Sequence, residues 1–427
     1  MSMSKFISKN FKTLKGCISI PADKSLSHRA VIFSTLAKGK SVIKNFSNGK
    51  DPHSSLEICK YLGADIEIKD SNIIVKSEGK LTKPNKTLYC GNSGTTIRLI
   101  AGVLAGQNFD SVLTGDESLS KRPMKRIIEP LSLMGANIVS DNFHAPLKIS
   151  GAELYGIDYN SPISSAQVKS CILLAGLYAK GKTVVTERQK SRNHTEIMLS
   201  SMGADIVSEG NTVTIQNSTL SPLEIEICGD ISSAAYFLVA GLIVPDSEII
   251  LKNVNLNPTR TGIIDIINRM GGQIEILNIK EMCSELTGDI KVKYSKNLKS
   301  CTITPEIIPR LIDEIPVISL LATQCEGQTV ISGASDLRNK ETDRIKTTVT
   351  ELKKLGAEIE ETTDGMIING KTDLIGGLEV SSHKDHRLAM TLYIAGLITK
   401  KEISVSDFEW VNISFPEFEN LFENLKI

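Results

Sequence analysis

Hydrophobic and polar positions along the chain follow two short patterns that recur at a nearly constant interval. In the first pattern, an apolar residue, a glycine and a small residue precede a run that alternates like a β-strand. Glycine in this place is typical of a helix end, so each copy predicts a helix that stops and a strand that follows. The five copies are YLGADIEI, LMGANIVS, SMGADIVS, RMGGQIEI and KLGAEIEE, with glycines at positions 63, 135, 203, 271 and 356.

The second pattern is an Ala- and Leu-rich helical run, a short polar break and then a β-branched run. Both patterns repeat at about 70 residues, which predicts six α/β units, each with two helices and several strands. The last unit stops at FENLFENLKI, where a sixth glycine pattern would be due. Periodicity does not decide how six units form domains, and three in each of two domains is the simplest division. The aligned strand residues are Val42, Val112, Val184, Ile249, Val330 and Ile403.

Composition narrows the class of protein. The chain has 427 residues, of which 41% are apolar and 23% charged, and its formal net charge is zero. Nucleic-acid-binding domains usually carry a basic excess, so the charge argues against that class. The eight cysteines form no CxxC pair and no Cys/His cluster, so neither a metal site nor a disulfide framework is predicted. We expect a cytoplasmic protein without a membrane span, because no apolar run is long enough and residues 1–16 lack the apolar core of a signal peptide.

Two clusters of polar residues stand where helices should begin. In the stretch IPADKSLSHRA, either Asp23 or Ser25 would cap a helix. Backbone N–H groups, Lys24 and Arg29 would then converge as an anion site requires, although a capped helix with exposed charges explains the same residues. In CGNSGTTIRLIAG, Gly94 lets a ligand approach the backbone closely, or simply forms a tight turn.

Five further clusters allow more than one interpretation each. SLSKRPMKR and LRNKETDR are either anion-binding segments or solvated charge runs with ordinary ion pairs. The polar residues that open SPISSAQVKSCILL suit recognition of hydroxyl groups or helix capping. Asp313 lies among apolar residues, so its carboxylate must be paired, hydrogen-bonded or protonated. His194, in SRNHTE, is more typical of a structural hydrogen bond than of a general base.

Taken together, nine motifs resemble the 5-enolpyruvylshikimate-3-phosphate synthase family, in the family's order and from about residue 12 to the C-terminus. The versions of SAQVK, RNHTE and NPTR are similar to those of its class II branch. Two positions depart from the family pattern: Ala22 replaces the usual glycine, and Ile413 replaces a lysine that contacts phosphoenolpyruvate in class I enzymes. The motifs are ADKSLSHR, GNSGTT, KRPM, SAQVK, RNHTE, NPTR, IDEIP, KETDR and DHRLAM.

The resemblance implies a two-domain inverse α/β barrel, the enolpyruvyl transferase fold, built from six βαβαββ repeats. Residues 1–22 plus 230–427 would form a discontinuous first domain and residues 23–229 a second, with three repeats in each and the active site in the cleft between them. It also implies transfer of the enolpyruvyl group of phosphoenolpyruvate to the 5-hydroxyl of shikimate 3-phosphate by addition–elimination, with release of phosphate. No cofactor or metal is expected. The family further implies a monomer that glyphosate inhibits, with a sensitivity that Gly94 alone does not set.

The resemblance also implies which residues act. Asp313 would take the proton of the 5-hydroxyl, Glu341 would protonate the methylene carbon, and Lys24 would be a further proton-transfer group. It gives no role to His28. Phosphoenolpyruvate is expected at Lys24, Gly94, Arg122, Gln167, Arg344 and Arg387. Shikimate 3-phosphate is expected at Lys24, Ser25, Arg29, Ser165, Gln167, Arg192, Asp313 and Lys340.

Two alternatives remain open at this point. The UDP-N-acetylglucosamine enolpyruvyl transferase family shares the fold, but it usually has a reactive cysteine in the loop that corresponds to SLSKRPMKR, where this chain has none. Its first motif also has Lys-Asn, where this chain has Lys24 and Ser25. The other alternative is a non-catalytic nucleic-acid-binding module of repeated α/β units, against which the lack of interleaved basic and aromatic residues argues.

Overall fold

The computed structural model describes residues 4–7 and 13–427. Part of the N-terminal segment in which no signal peptide was predicted, and the start of the family resemblance near residue 12, lie outside these residues. The α-helices are α1 Lys24–Leu36, α2 Lys50–Tyr61, α3 Gly94–Ala105, α4 Glu117–Ser120, α5 Lys125–Leu133, α6 Ala166–Gly176, α7 His194–Ser201, α8 Ile231–Ile243, α9 Gly262–Arg269, α10 Ile315–Thr323, α11 Arg344–Lys354, α12 His386–Gly396 and α13 Phe418–Glu423. Short 3₁₀ helices span Ile308–Arg310, Ser335–Asn339 and Phe408–Ile413.

The strands form six sheets that alternate with these helices along the chain. They are β1 Lys5–Ile7, β2 Lys15–Ser19, β3 Lys38–Lys44, β4 Asp65–Lys69, β5 Asn72–Glu78, β6 Leu88–Tyr89, β7 Ser111–Thr114, β8 Asn137–Asp141, β9 His144–Ser150, β10 Asp158–Ser161, β11 Thr183–Glu187, β12 Ile206–Glu209, β13 Thr212–Ile215, β14 Glu224–Glu226, β15 Glu248–Asn255, β16 Gln273–Met282, β17 Glu285–Lys293, β18 Thr302–Ile303, β19 Gly327–Ile331, β20 Glu358–Glu361, β21 Met366–Gly370, β22 Glu379–Ser381 and β23 Ile403–Ser406.

The five glycines of the first sequence pattern end five helices as predicted. They follow α2, α5, α7, α9 and α11 by two residues, and their φ angles lie between 76° and 102°. This left-handed backbone costs glycine little and is strained for other residues. A strand begins two or three residues further on in each case, so the predicted helix–glycine–strand order is confirmed.

Contacts within the chain divide it into two compact units. Unit 1 comprises Met1–Pro21, Cys228–Glu281 and Leu286–Ile427, and unit 2 comprises Ala22–Ile227 together with Met282–Glu285. The segment Met282–Glu285, at the turn between β16 and β17, belongs to unit 2, and no pattern in the sequence had indicated this. Unit 2 contains the sheets built around β3, β7 and β11, and unit 1 those built around β15, β19 and β23.

Five of the sheets share one strand order, which the sheet β6-β7-β9-β8 illustrates. Its central strand β7 is parallel to β6 and antiparallel to β9, and β9 forms a hairpin with β8. With α3 and α5 between the strands, the chain order is βαβαββ. The same central position is taken by all six strands of the second sequence pattern, so the predicted sixfold repeat is confirmed.

Strands distant in sequence complete three of the sheets. β14 lies parallel to β3, and β2 lies parallel to β15. The sixth sheet has three strands, because β1 pairs with β23 where the other units provide a hairpin. A strand near the start of the described residues therefore takes the place beside β23 that a hairpin strand takes in the other sheets, which the sequence patterns did not predict.

The helices of the second pattern form the cores of the units. Nearly every residue of α1, α3 and α6 in unit 2, and of α8, α10 and α12 in unit 1, is buried, whereas strands such as β4 and β12 expose most of their residues. A helix that is apolar all round must be enclosed. At Gly102 an added Cβ would lie 2.2 Å from the Cys171 carbonyl oxygen, so only glycine allows α3 to pack so closely on α6. Within the described residues, no helix is both long and apolar enough to cross a membrane.

Candidate active site

The predicted site residues fall into two sets, one in each unit. The unit 2 set is Lys24, Ser25, Arg29, Gly94, Arg122, Ser165, Gln167 and Arg192, and the unit 1 set is Asp313, Lys340, Glu341, Arg344 and Arg387.

The start of α1 holds the first members of the unit 2 set. Asp23 caps the helix, since its Oδ1 accepts from the Leu26 N–H at 2.9 Å. Of the two caps considered from the sequence, Asp23 is therefore correct, and Ser25 lies in the first turn. Lys24 Nζ lies 2.9 Å from Asp51 Oδ2, which α2 provides. No pattern in the sequence had indicated that Asp51 would pair with Lys24.

Arg29 ties α1 to the helices beside it. Its side chain is buried, and Nε donates to Thr195 Oγ1 at 2.7 Å while Nη2 donates to Ser170 Oγ at 2.9 Å. Nη1 donates to the Ser25 carbonyl oxygen at 3.0 Å. These neutral oxygens orient the guanidinium without cancelling its charge.

His28, for which the sequence offered no role, has a structural one. Its Nδ1 lies 2.8 Å from Ser55 Oγ, which in turn lies 2.8 Å from Thr96 Oγ1, so the imidazole links α1, α2 and α3. Burial, reinforced by the positive charges of Lys24 and Arg29, holds the pKa of His28 well below its ordinary value. The ring is therefore neutral at physiological pH.

The side-chain amide of Gln167 connects the N-terminal turns of α3 and α6 through hydrogen bonds. Gln167 Oε1 accepts from Arg98 Nη1 at 2.5 Å, and Gln167 Nε2 donates to Thr95 Oγ1 at 2.9 Å, which fixes the orientation of the amide. A Cβ on Gly94 would lie 2.8 Å from Arg98 Nη1, so a larger residue there would displace this guanidinium. Arg98 lies in the CGNSGTTIRLIAG stretch, and the family resemblance assigned it no role.

The guanidinium of Arg122, like that of Arg98, lies close to Gly94. A Cβ on Gly94 would lie 3.4 Å from Arg122 Nη1. Arg122 Nη2 donates to Asn92 Oδ1 at 2.7 Å, and Asn92 Nδ2 donates to Asp116 Oδ2 at 2.8 Å. Only 8% of Arg122 is exposed, so the solvated charge run considered for SLSKRPMKR does not describe it. Asn92 was missed, although it lies within a quoted motif.

The remaining members of the unit 2 set lie at two helix starts. Ser165 precedes α6, and its side chain makes no capping hydrogen bond, so capping does not explain this serine. Arg192 is partly buried in the segment before α7. His194 is fully buried, with Nδ1 2.6 Å from Glu285 Oε1, which confirms the structural interpretation of this histidine.

In unit 1, Arg344 contacts three carboxylates. Arg344 is 2% exposed, and its Nε donates to Asp385 Oδ2 at 2.7 Å. Its Nη2 donates to Glu341 Oε2 at 2.5 Å, and Nη1 lies 3.4 Å from Asp313 Oδ1. The surface ion pairs considered for KETDR are therefore ruled out for Arg344. The arrangement places the expected acid and the expected base on the same guanidinium.

Burial and ion pairing oppose each other in this group. Burial disfavours the charge of Arg344, but the carboxylates of Asp385 and Glu341 outweigh it and raise the pKa of Arg344. Burial likewise disfavours the charge of Asp385, yet Arg344 keeps the pKa of this carboxyl below its usual range. Asp385 also caps α12 by accepting from the Arg387 N–H at 2.8 Å, so it positions both arginines.

Asp313 is surrounded by cations, as its place in an apolar segment required. Besides Arg344, Lys340 Nζ lies 3.9 Å from Oδ1 and Arg387 Nη2 lies 3.8 Å from Oδ2. The Asp313 carbonyl also accepts from Arg387 Nη1 at 3.3 Å. Although burial opposes the charge of Arg387, the nearby Asp313 raises the pKa of the arginine.

A second buried cluster involves the NPTR motif. Arg260 is 1% exposed, and its Nη2 donates to Asp230 Oδ1 at 2.9 Å and to Ser232 Oγ at 3.0 Å. The Ser232 hydroxyl also donates to Glu314, the neighbour of Asp313. The motif therefore serves the architecture around the N-terminus of α8.

The two departures from the family pattern, Ala22 and Ile413, have different consequences. Ala22 is buried directly before the Asp23 cap, and α1 forms with that cap intact. Ile413 ends a 3₁₀ helix and is partly buried. Its aliphatic side chain offers no charge, so no lysine contact exists at this position. Among the described residues, no cluster of three His, Cys, Asp or Glu side chains is arranged to hold a metal ion.

Comparisons with known proteins agree along the whole chain. A family model described as EPSP synthase (3-phosphoshikimate 1-carboxyvinyltransferase) matches residues 9–422. A 3-phosphoshikimate 1-carboxyvinyltransferase of Thermodesulfovibrio yellowstonii is 55% identical, with 98% of this chain and 99% of the relative covered. One of Bacillus subtilis is 51% identical, with 97% of each chain covered. The solved EPSP synthase of Acinetobacter baumannii is similar with a TM-score of 0.88 and 41% identity, covering 100% of this chain and 98% of that one.

Proposed function

The chain belongs to the EPSP synthase (3-phosphoshikimate 1-carboxyvinyltransferase) family, and from this membership we propose how its residues divide the work of the reaction. It is a transferase of the shikimate pathway, which leads to the aromatic amino acids. It moves the enolpyruvyl group of phosphoenolpyruvate to the 5-hydroxyl of shikimate 3-phosphate and releases phosphate. The resemblance inferred from nine motifs is confirmed, and neither the sister transferase nor a nucleic-acid-binding module agrees with these matches.

In this proposal, the unit 2 set binds the anionic groups of both substrates. Lys24, Arg122, Gly94 and Gln167 face phosphoenolpyruvate, where Gly94 leaves room beside the two guanidiniums of Arg98 and Arg122. Arginine suits phosphate and carboxylate because its planar fork donates two parallel hydrogen bonds. The cations also stabilise the charge that builds up on the phosphate as it leaves.

Shikimate 3-phosphate is assigned to a second group of residues. From unit 2 we assign Lys24, Ser25, Arg29, Ser165, Gln167 and Arg192, and from unit 1 Asp313 and Lys340. Arg29, Ser165 and Arg192 belong to or adjoin α1, α6 and α7, and Arg29 is hydrogen-bonded to residues of both α6 and α7. This shared framework supports their assignment to one ligand.

The unit 1 set supplies the proton transfers. Asp313 accepts the proton of the 5-hydroxyl while the hydroxyl oxygen bonds to C2 of phosphoenolpyruvate, and Glu341 gives a proton to C3. The tetrahedral intermediate then loses phosphate as the C2–O bond breaks and a C3 proton returns to a base, which restores the double bond. Lys24 is a further proton-transfer group, and Arg344 and Arg387 hold phosphoenolpyruvate. The observation that most supports this division is the contact of Asp313 and Glu341 with one guanidinium, that of Arg344.

We further propose that the enzyme acts as a cytoplasmic monomer, that its substrates engage residues of both units, and that glyphosate occupies the place of phosphoenolpyruvate. The test is phosphate release from phosphoenolpyruvate by the purified full chain. Phosphate is expected only when shikimate 3-phosphate is present, and glyphosate is expected to raise KM for phosphoenolpyruvate without lowering kcat. Phosphate release that is independent of shikimate 3-phosphate, or that requires UDP-N-acetylglucosamine, would contradict the proposal.

A further inference from the structure

Residues 188–193, which connect β11 to α7 and are called the Arg192 segment below, adjoin a buried ion cluster. Neither the sequence patterns nor the family assignment indicated a role for this cluster. We call it the Lys169 cluster and define it by Lys169, Glu187, Ser191 and Glu196. The side chains of Lys169, Glu187 and Glu196 are only 1%, 2% and 5% exposed. Lysine and glutamate are rarely buried to this extent unless they are paired.

The cluster joins three elements of unit 2. Lys169 lies in α6, and its Nζ is 2.8 Å from Glu187 Oε2 at the end of β11. The same Nζ is 2.8 Å from Glu196 Oε1 in the first turn of α7. One ammonium group therefore fixes the start of α7 and the end of β11 to α6.

The segment between β11 and α7 is held by the same groups. Ser191 donates twice to Glu187 Oε2, from its N–H at 3.1 Å and from its hydroxyl at 2.9 Å. The Ser191 carbonyl accepts from Lys169 Nζ at 3.4 Å. All three polar groups of Ser191 are thus anchored to the cluster, and the backbone leaving Ser191 leads directly to Arg192.

We propose that Lys169 is a positioning residue for shikimate 3-phosphate. It fixes the Arg192 segment to α6, whose opening carries Ser165 and Gln167, and so sets the distance between two parts of one binding site. The inference rests on the proposed function, since it concerns the substrate assigned to these residues. A lysine that tethers the segment, rather than one that touches the ligand, agrees with an ammonium group that already has Glu187, Glu196 and Ser191 around it.

The energetics of burial support positioning over stability. Removing two or three charged groups from water costs several kcal/mol, and apolar residues of similar volume often stabilise a core equally well or better. An ion cluster instead fixes the relative positions of the elements that carry its charges, because each carboxylate must lie at a defined place around the ammonium group. This argues that geometry at the Arg192 segment is what the charges provide.

The test compares Lys169→Met, Lys169→Arg and Ser191→Ala with the wild-type enzyme in steady-state kinetics for both substrates. For Lys169→Met we expect KM for shikimate 3-phosphate to rise roughly 10-fold, and for Ser191→Ala roughly 3-fold, while KM for phosphoenolpyruvate changes less than about 2-fold. Lys169→Arg keeps the charge and should recover part of the loss. Lys180→Met serves as a matched control, since Lys180 is 65% exposed and pairs with Glu153 at the surface.

A purely structural role would lower the thermal stability of Lys169→Met while leaving the ratio of the two KM values unchanged, and that result would overturn the inference. If Lys169→Met does not fold, Ser191→Ala decides, because it removes only the hydroxyl hydrogen bond to Glu187 and leaves the Lys169–Glu187 ion pair in place. An unchanged KM ratio in Ser191→Ala would then refute the role. Failure of the proposed function would differ, because the wild-type enzyme itself would release no phosphate in response to shikimate 3-phosphate.

Discussion

The two sets of site residues differ in their acidic members, since the unit 2 set contains no carboxylate and the unit 1 set contains Asp313 and Glu341. In unit 2, neutral oxygens of hydroxyl and amide groups accept hydrogen bonds from Arg29, Arg98 and Arg122. Lys24 pairs with Asp51, which lies outside the set. In unit 1, Arg344 contacts the carboxylates of Asp313, Glu341 and Asp385, and Arg387 contacts that of Asp313. A neutral oxygen orients a guanidinium, whereas a carboxylate also offsets part of its charge.

This difference fits two different tasks. Substrates that carry phosphate and carboxylate groups need positive charge, and unit 2 offers it on arginines that are already oriented. Proton transfer needs carboxylates in place before the substrate arrives, and unit 1 provides Asp313 and Glu341 beside Arg344. The expected consequence is that changes at Asp313 and Glu341 in unit 1 act mainly on turnover, and that changes at Arg122 in unit 2 act mainly on affinity.

The largest effect is expected from Asp313→Asn and Glu341→Gln. Each removes a proton-transfer group at nearly constant volume, so turnover should fall roughly 10²- to 10⁴-fold while KM for phosphoenolpyruvate changes little. Steady-state kinetics with circular dichroism as a folding check measures this. Asp373→Asn is the control, since this aspartate pairs with Lys400 at the exposed surface. Near-normal turnover in either variant would remove that residue from the catalytic role.

The next effect concerns stability and compares the two paired aspartates. Asp385 is fully buried between Arg344 and the start of α12, so Asp385→Asn should cost about 3 to 5 kcal/mol of local stability. Asp51→Asn should cost about 1 to 2 kcal/mol, because its partner Lys24 keeps access to water. Native-state hydrogen exchange of the amides in α12 and in α1 would report the two values separately. Equal losses in the two units would contradict the contrast drawn between them.

The parts of the fold that were predicted from the sequence are those that recur from repeat to repeat. Helix ends at the five glycines and the central strands at Val42 and its equivalents follow from local patterns, and the structure confirms them. The pairing of β1 with β23 and the membership of Met282–Glu285 in unit 2 join segments far apart in sequence. No local pattern specifies such contacts, so they were not predicted.

The site shows the same limit. Motifs indicated the residues, and for Asp313 the apolar surroundings correctly predicted pairing. The partners themselves were missed: Asp51 for Lys24 and Asn92 for Arg122 lie 27 and 30 residues from the residues they contact. Contacts across that separation depend on how helices pack, which a single sequence does not show.

A smaller effect, on affinity, is expected in unit 2. Arg122→Ala should raise KM for phosphoenolpyruvate about 10- to 100-fold through the loss of charge-assisted hydrogen bonds. Asn92→Ala, which removes a partner but keeps the guanidinium, should raise it only about 3-fold. Lys148→Ala changes an exposed cation of β9 and is the control. If Arg122→Ala lowered turnover as strongly as Asp313→Asn and left KM unchanged, the division of tasks between the two units would be wrong.

The smallest effect is a pH dependence that distinguishes the units. The buried His28 has a pKa well below its ordinary value, so folding disfavours its protonation. In the unfolded chain it titrates near 6.5, and the stability of the folded form therefore decreases as the pH falls below that value. Between pH 6.5 and 5.5 the loss should be about 1 kcal/mol, whereas the lowered pKa of Asp385 costs stability only in more acidic solution, below about pH 4. The measurement is the free energy of unfolding of the wild type and of His28→Gln at both pH values. Subtracting the two pH-dependent losses cancels the contribution of every other titrating group. Parallel pH profiles of the two proteins would show that His28 takes up a proton as readily in the folded as in the unfolded chain, which would contradict the lowered pKa.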